Sequence, residues 1–404
     1  MSVESVESVE SAGNAGSAAG SGLEWMVEAM TRFGESEAII EGERLRSYAE
    51  LVAGIAELRR RLRGWGLRPG DVLAFAGDYS EAGVIRFFAA LLEGLVAVPL
   101  AQGLQAELDT ALAAVPTDWF FPAGRALDQP PDPRSPAGER SAHPLLERLR
   151  ARGHAGLIIL TSGSTGRPKV ILHDAVQLLD KFRHPRRPYR SLVFLLPDHM
   201  GGVNTLFGML TCGSTAILPP SREPDTICAL VAKHRAEVLP VTPSFLNLLL
   251  LSEAWRRSDL SSLRVVSYGT EVMPEPTLQR AAQILPGVRF VQLYGSSELG
   301  IFRGRSRAND SPFIELAGDG FARFKIIDGR LWVHGADSML GYLGAEPSGF
   351  AEDGWYDTGD LVEERDGYVR FLGRASEMIN VGGQKVLPAE VEAALLALPG
   401  VEEA

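Results

Sequence analysis

Residues 157–170, LIILTSGSTGRPKV, hold the chain's densest set of groups able to grip phosphate. An apolar run runs into Thr161, Ser162, Gly163, Ser164, Thr165 and Gly166, and Lys169 follows. The glycines let backbone N–H groups approach an anion closely, the hydroxyls add donors, and the lysine can neutralise developing charge. The spacing is not that of a Walker loop, because Val170 stands after the lysine where Ser or Thr is required. By composition alone, the same residues also suit a polar surface turn.

Four more segments carry chemically useful residues downstream. SYGTEV supplies Tyr268, Gly269, Thr270 and Glu271. YGSSE supplies Tyr294, Gly295, Ser296, Ser297 and Glu298, WYDTGD supplies Asp360, and GRASEMINVGGQKVLPAEVE supplies Arg374. In this order and at these intervals, the five motifs resemble those of the adenylate-forming superfamily: acyl-CoA synthetases, the adenylation domains of peptide synthetases, and luciferases. The resemblance covers nearly the whole chain after Leu23. Val170 in place of the usual glycine, and Ser297 in place of the usual threonine, are its departures.

The resemblance implies ATP as the nucleotide, bound by 161–166, Lys169, 269–271, 294–297, Asp360 and Arg374. Tyr294 would lie on the adenine face or serve as a core aromatic. Asp360 would accept from ribose hydroxyls or fix its turn. Glu298, with Thr165, would hold Mg²⁺, a hard ion suited to oxygen ligands, or be an ordinary surface acid. Lys169, Thr165, Glu298, His199 and Arg374 are the expected catalytic set. No protein nucleophile is needed, because a substrate carboxylate attacks the α-phosphorus of ATP. Coenzyme A, or the thiol of a carrier protein, would then take the acyl group.

LPDHMGGVNTLFG places His199 where the family has a residue at the acyl-pocket entrance. Gly201 and Gly202 would leave room for a bulky acid, Val203, Leu206 and Phe207 would form apolar walls, and Ser244, Phe245 and Tyr268 would add lining. Asp198 does not reproduce the amino-acid pattern of peptide synthetases, which favours an aryl or aliphatic acid without an α-amine. Family members continue into a mobile lid bearing a late lysine. Here the hinge falls near Ser376, and Lys385 is not that lysine, so the reading expects a chain impaired in catalysis. A nucleotide-binding protein that has lost ligase activity is the remaining alternative.

These groups need a scaffold, and the sequence supplies one. Apolar residues make up 45% and charged residues 23% of 404, the mixture of an ordinary globular protein. Lys plus Arg number 40 against 51 Asp plus Glu, a net charge of -11 that opposes nucleic acid as a partner. Cys212 and Cys228 are too few for a thiolate cluster and, with no signal-peptide pattern, predict a reducing, cytoplasmic setting. GVIRFFAALLEGLVAVPL contains Arg86 and Glu93 and reads as a buried helix entering a strand, so no membrane is expected.

Residues 1–22 predict a disordered segment. Residues 23–375 predict an α/β, layered domain of two α/β subdomains, with a smaller β-rich part at approximately 318–375 signalled by two Asp-Gly turns. One strand-and-helix series precedes the Pro-rich stretch 130–144, and a second is expected to begin with LIILTSG. Residues 376–404 predict the hinge and the start of a lid.

Overall fold

The computed structural model describes residues 21–401 apart from 102, 104, 137–138, 162–167, 185, 317–321, 336–337, 345–348, 397 and 399. The segment expected to be disordered therefore lies almost wholly outside the described residues. The chain opens with helix Glu24–Thr31 and continues through helix Tyr48–Gly64. The second helix starts at Ser47, whose hydroxyl accepts from the Glu50 N–H while the Glu50 carboxylate accepts from the Ser47 N–H. That reciprocal cap satisfies two donors that a helix end leaves open. Tyr48, Leu51, Ile55, Leu58 and Leu62 recur at helical spacing and are all buried.

Three large sheets follow from the strand pattern. The first has seven strands, in the order Gly341–Tyr342, Lys169–Asp174, Gly156–Thr161, Val96–Leu100, Val72–Ala76, Trp119–Phe121 and Asp132–Pro133. Its middle is parallel and buried on both faces, which explains the near-continuous apolar runs VLAFA and VAVPL. Gly156–Thr161 pairs in parallel with Val96–Leu100. This corrects the expectation that LIILTSG opens the second series: it joins the first sheet, which Lys169–Asp174 and Gly341–Tyr342 then extend. A run buried on both faces has no period that could reveal its neighbours.

The second sheet has eight strands, and its parallel interior includes Val238–Val241, Val265–Tyr268 and Arg289–Ser296. Gly300–Arg303 folds back antiparallel on Arg289–Ser296. The third sheet is six-stranded and antiparallel, and includes Ala322–Ile327, Arg330–Gly335, Tyr356–Arg365 and Tyr368–Arg374. Its two hairpins turn at Asp328-Gly329 and Asp366-Gly367, with all four residues at positive φ as such turns demand. Helix Pro388–Leu396 then packs near Tyr368–Arg374 and helix Glu275–Ile284. No helix among the described residues is long and apolar enough to cross a membrane.

Candidate active site

Lys169 begins the strand Lys169–Asp174, in register with Thr161 across the hairpin. On the other side of that strand, edge strand Gly341–Tyr342 pairs Tyr342 with Ile171. Residues 169 and 171 share a face, so the lysine reaches diagonally to the tyrosine. Its Nζ stands 5.5 Å from the Tyr342 ring centroid. The Tyr342 hydroxyl donates to Glu298 Oε1 at 3.0 Å and lies 3.4 Å from the Tyr356 hydroxyl. Burial, reinforced by Tyr356 and Glu298, pushes the Tyr342 phenol up and keeps its proton on. Lys169 and Glu298 thus meet at the two ends of one tyrosine.

Glu298 sits in the turn between Arg289–Ser296 and Gly300–Arg303. A Cβ on Gly295 would lie 2.2 Å from the Gly300 carbonyl oxygen, so this tight hairpin closes only with glycine there. The Glu298 N–H donates to Ser296 Oγ at 3.3 Å, and the Glu298 carbonyl accepts from the Met339 N–H at 2.7 Å. His173, fully buried on the lysine's own strand, donates from Nε2 to the Ser297 carbonyl at 2.6 Å. Two sheets are pinned together beside the acid.

A second cluster stands on the third sheet. Asp360 pairs across the ladder with Arg374, whose Nε lies 3.4 Å from Asp360 Oδ1. The Tyr294 hydroxyl donates to Asp360 Oδ2 at 2.7 Å, and the Tyr294 ring stacks on Phe371 at 4.5 Å and 13°. One face of Tyr294 is therefore taken by protein. Burial pushes the Asp360 carboxyl above the ordinary carboxylate range, despite Tyr294 and Arg374, with Glu298 adding to the rise. At Arg374 burial pulls down, but Asp360, Glu298, Glu377 and Tyr294 together outweigh it and the net direction is up. The pair is asymmetric because desolvation dominates only at the deeper partner. Glu298 is felt by both residues, so the two clusters share one electrostatic field.

A cavity of about 410 Å³ opens over this cluster, with Tyr294, Asp360, Arg374, Thr270, Glu271 and Ser244 on its walls. Thr270 holds a positive φ of 73°, and a Cβ on Gly269 would lie 2.7 Å from the Leu293 carbonyl oxygen. Those constraints press the loop against the neighbouring strand. Glu271 accepts from the Ser244 N–H at 2.9 Å and from its hydroxyl at 2.6 Å. Glu271 therefore braces the cavity wall.

Ser162, Gly163, Ser164, Thr165 and Gly166 lie outside the described residues. His199 precedes helix Met200–Leu210, and its Nδ1 donates to Asp198 Oδ1 at 2.6 Å, which raises the imidazole pKa. The residues expected to shape the acyl pocket are closely packed. A Cβ on Gly202 would stand 1.9 Å from the Leu196 carbonyl oxygen, and one on Gly201 would stand 2.8 Å from Leu195 Cδ1. Gly202 thus faces backbone, whereas Gly201 faces only the end of a flexible leucine side chain. Val203, Leu206 and Phe207 are buried in the main core, where Phe207 meets Phe87 edge-on at 5.0 Å. Tyr268 is likewise a core residue. Tyr342, His173 and Phe371 were missed in the sequence, since a lone aromatic or histidine within a strand carries no spacing signal.

A family model described as AMP-binding enzyme matches residues 26–343. The chain belongs to that family. The first three of the five motifs lie within the matched residues. This AMP-binding enzyme is 31% identical over 420 residues to a feruloyl-CoA synthase of Amycolatopsis sp., covering 94% of this chain and 83% of that one. It is 28% identical to an indoleacetate–CoA ligase of Aromatoleum aromaticum, over 89% of this chain and 80% of that protein. It is 29% identical to a phenyloxazoline synthase of Mycobacterium sp., over 92% of this chain and 34% of the larger protein. Among solved structures it resembles the anthranilate CoA ligase AuaEII in complex with anthranoyl-AMP, with a TM-score of 0.77, 19% identity, and 94% and 82% of the two chains covered. The ATP-bound MatB of Rhodopseudomonas palustris gives a TM-score of 0.73 at 22% identity, covering 93% of this chain and 84% of that one. Those likenesses establish the layered α/β fold.

Proposed function

We propose that the protein activates a carboxylic acid with ATP as an acyl-adenylate and passes the acyl group to a thiol. The observation that carries this reading is the meeting of Lys169 and Glu298 at Tyr342, beside the cavity walled by Tyr294, Asp360 and Arg374. The adenosine occupies that cavity, with Asp360 accepting from the ribose and the triphosphate directed toward Lys169. The acid's carboxylate oxygen bonds to the α-phosphorus, and the bond to the bridging oxygen breaks, its electron pair leaving with pyrophosphate. Lys169 lowers the charge between the two anions, and Arg374 steadies the phosphate end. Thr165 and His199 complete the proposed set, His199 at the acid's entrance. A thiolate then attacks the carbonyl and AMP departs.

The donor chemistry suits Mg²⁺: Glu298 supplies one carboxylate beside the proposed phosphate end, and Thr165, the other expected ligand, lies outside the described residues. A hard ion held by one carboxylate and substrate phosphates suits that donor set. When bound, Mg²⁺ would supply charge neutralisation at the leaving pyrophosphate. The names of the relatives, built on ferulate and indoleacetate, support an aryl acid, with coenzyme A as the acceptor. A carrier-protein thiol is the second reading, favoured by the match to phenyloxazoline synthase. The decisive experiment is titration with non-hydrolysable aryl-adenylate sulfamates. An intermediate mimic should bind at least ~10²-fold more tightly than AMP. Equal affinity for AMP and for every mimic in an aryl panel would end the acid-activation reading.

A further inference from the structure

The strand Lys169–Asp174 addresses a single turn at two places. Lys169, Ile171 and His173 alternate onto one of its faces. Lys169 reaches Glu298 by way of the Tyr342 ring, and His173 bonds directly to the residue before Glu298. Ile171, between them, is buried in the same apolar cluster as Leu299. The turn itself is short. Ser296 pairs with Gly300, so Ser297, Glu298 and Leu299 alone span the reversal.

Both peptide groups beside Glu298 are held. In the one before it, the Ser297 carbonyl accepts from His173 Nε2 at 2.6 Å, and the Glu298 N–H donates to Ser296 Oγ at 3.3 Å. In the one after it, the Glu298 carbonyl accepts from the Met339 N–H at 2.7 Å. A peptide group is planar, so fixing the plane on each side fixes the direction in which the Glu298 side chain leaves the backbone. The Tyr342 hydroxyl then acts on a carboxylate whose root is already set. The bond from His173 is the shortest of the three backbone contacts, and it comes from a side chain of another sheet. His173 is fully buried, and a carbonyl can only accept, so the shared proton belongs to Nε2.

We infer that His173 is a positioning residue for Glu298: its Nε2–H holds the Ser297–Glu298 peptide so that the carboxylate is presented to the metal end of the nucleotide. The inference rests on the Mg²⁺ role proposed for Glu298 and is tested by binding alone. The full chain is titrated with ATP at graded Mg²⁺, and with AMP in the presence of chelator. His173→Leu should raise the Mg²⁺ midpoint for ATP about tenfold while AMP affinity stays within about twofold. His173→Gln, whose amide nitrogen reaches about as far as Nε2, should recover most of that loss. In a Glu298→Gln background, His173→Leu should add no further shift, because the group it serves is already gone. An unshifted midpoint, a shift that survives in Glu298→Gln, or an equal loss of AMP affinity overturns the inference; the last two would mark a general disturbance of the fold. A parent that binds AMP but takes up ATP without regard to Mg²⁺ overturns it by removing the metal from Glu298. A parent that binds neither nucleotide overturns the proposed function and this inference with it. If His173→Leu does not fold, His173→Asn, whose amide stops short of the carbonyl, is judged by the same outcomes.

Discussion

Tyr342 donates its hydroxyl hydrogen to Glu298 at 3.0 Å while its ring lies beneath the ammonium of Lys169. The tyrosine thereby holds the acid and the base of the proposed phosphate end apart at a fixed spacing. Tyr342→Phe removes the hydrogen bond and keeps the ring. It should cost about 1 kcal/mol of stability and raise the Mg²⁺ concentration needed for half-maximal nucleotide binding several-fold. Nucleotide titrations at graded Mg²⁺ check this; an unshifted midpoint means that Tyr342 does not position Glu298.

Lys169→Met keeps the aliphatic stem and removes the charge. Stability should change little, because the lysine's contact is a ring face rather than a buried ion pair. The rate of acid-dependent exchange between pyrophosphate and ATP should fall by about 10²–10³. A rate within a factor of three of the parent would remove Lys169 from the transition state.

Asp360 gives a pH signature. Its folded-state pKa is raised, chiefly by burial. The protonated form is thus favoured by folding, and the associated stability is present below the ordinary carboxylate range and lost as pH rises through the raised value. Nucleotide binding runs the other way, since the ribose needs the carboxylate as acceptor. Affinity should climb with pH through that same window, and Asp360→Asn should flatten the climb and weaken binding about tenfold or more. Parallel pH profiles for wild type and Asp360→Asn would refute the ribose role.

Gly202→Ala tests the close packing of the helix after His199. The added carbon would stand 1.9 Å from a backbone oxygen. Thermal unfolding should show a loss of about 3 kcal/mol or more. An unchanged melting temperature would mean that the site has spare room after all.

Local signals in the sequence were legible where one residue decides the geometry. Ser47 with Glu50 announced a capped helix, and Asp328-Gly329 and Asp366-Gly367 announced hairpins. Lys169, Glu298, Asp360 and Arg374 were found through motifs, and the fold brings them into two adjoining clusters. What was not legible depends on distant partners. Gly201 and Gly202 suggest space until Leu195 and Leu196 are placed against them. Phe371 looks like any strand aromatic until Tyr294 is laid upon it. The sheet that LIILT joins is decided by Val96–Leu100, sixty or so residues earlier in the chain, and a fully buried strand carries no alternation to point there.

The bond from His173 to the Ser297 carbonyl spans 124 positions of sequence. Closing so long a loop has little entropic reward until both sheets exist, which makes this junction a late event in folding. Chemistry in this protein is consequently a property of the docked whole: a fragment carrying either sheet by itself would hold half a grip on phosphate and turn over nothing. Catalytic competence and global assembly should therefore be lost together as the protein is loosened by denaturant.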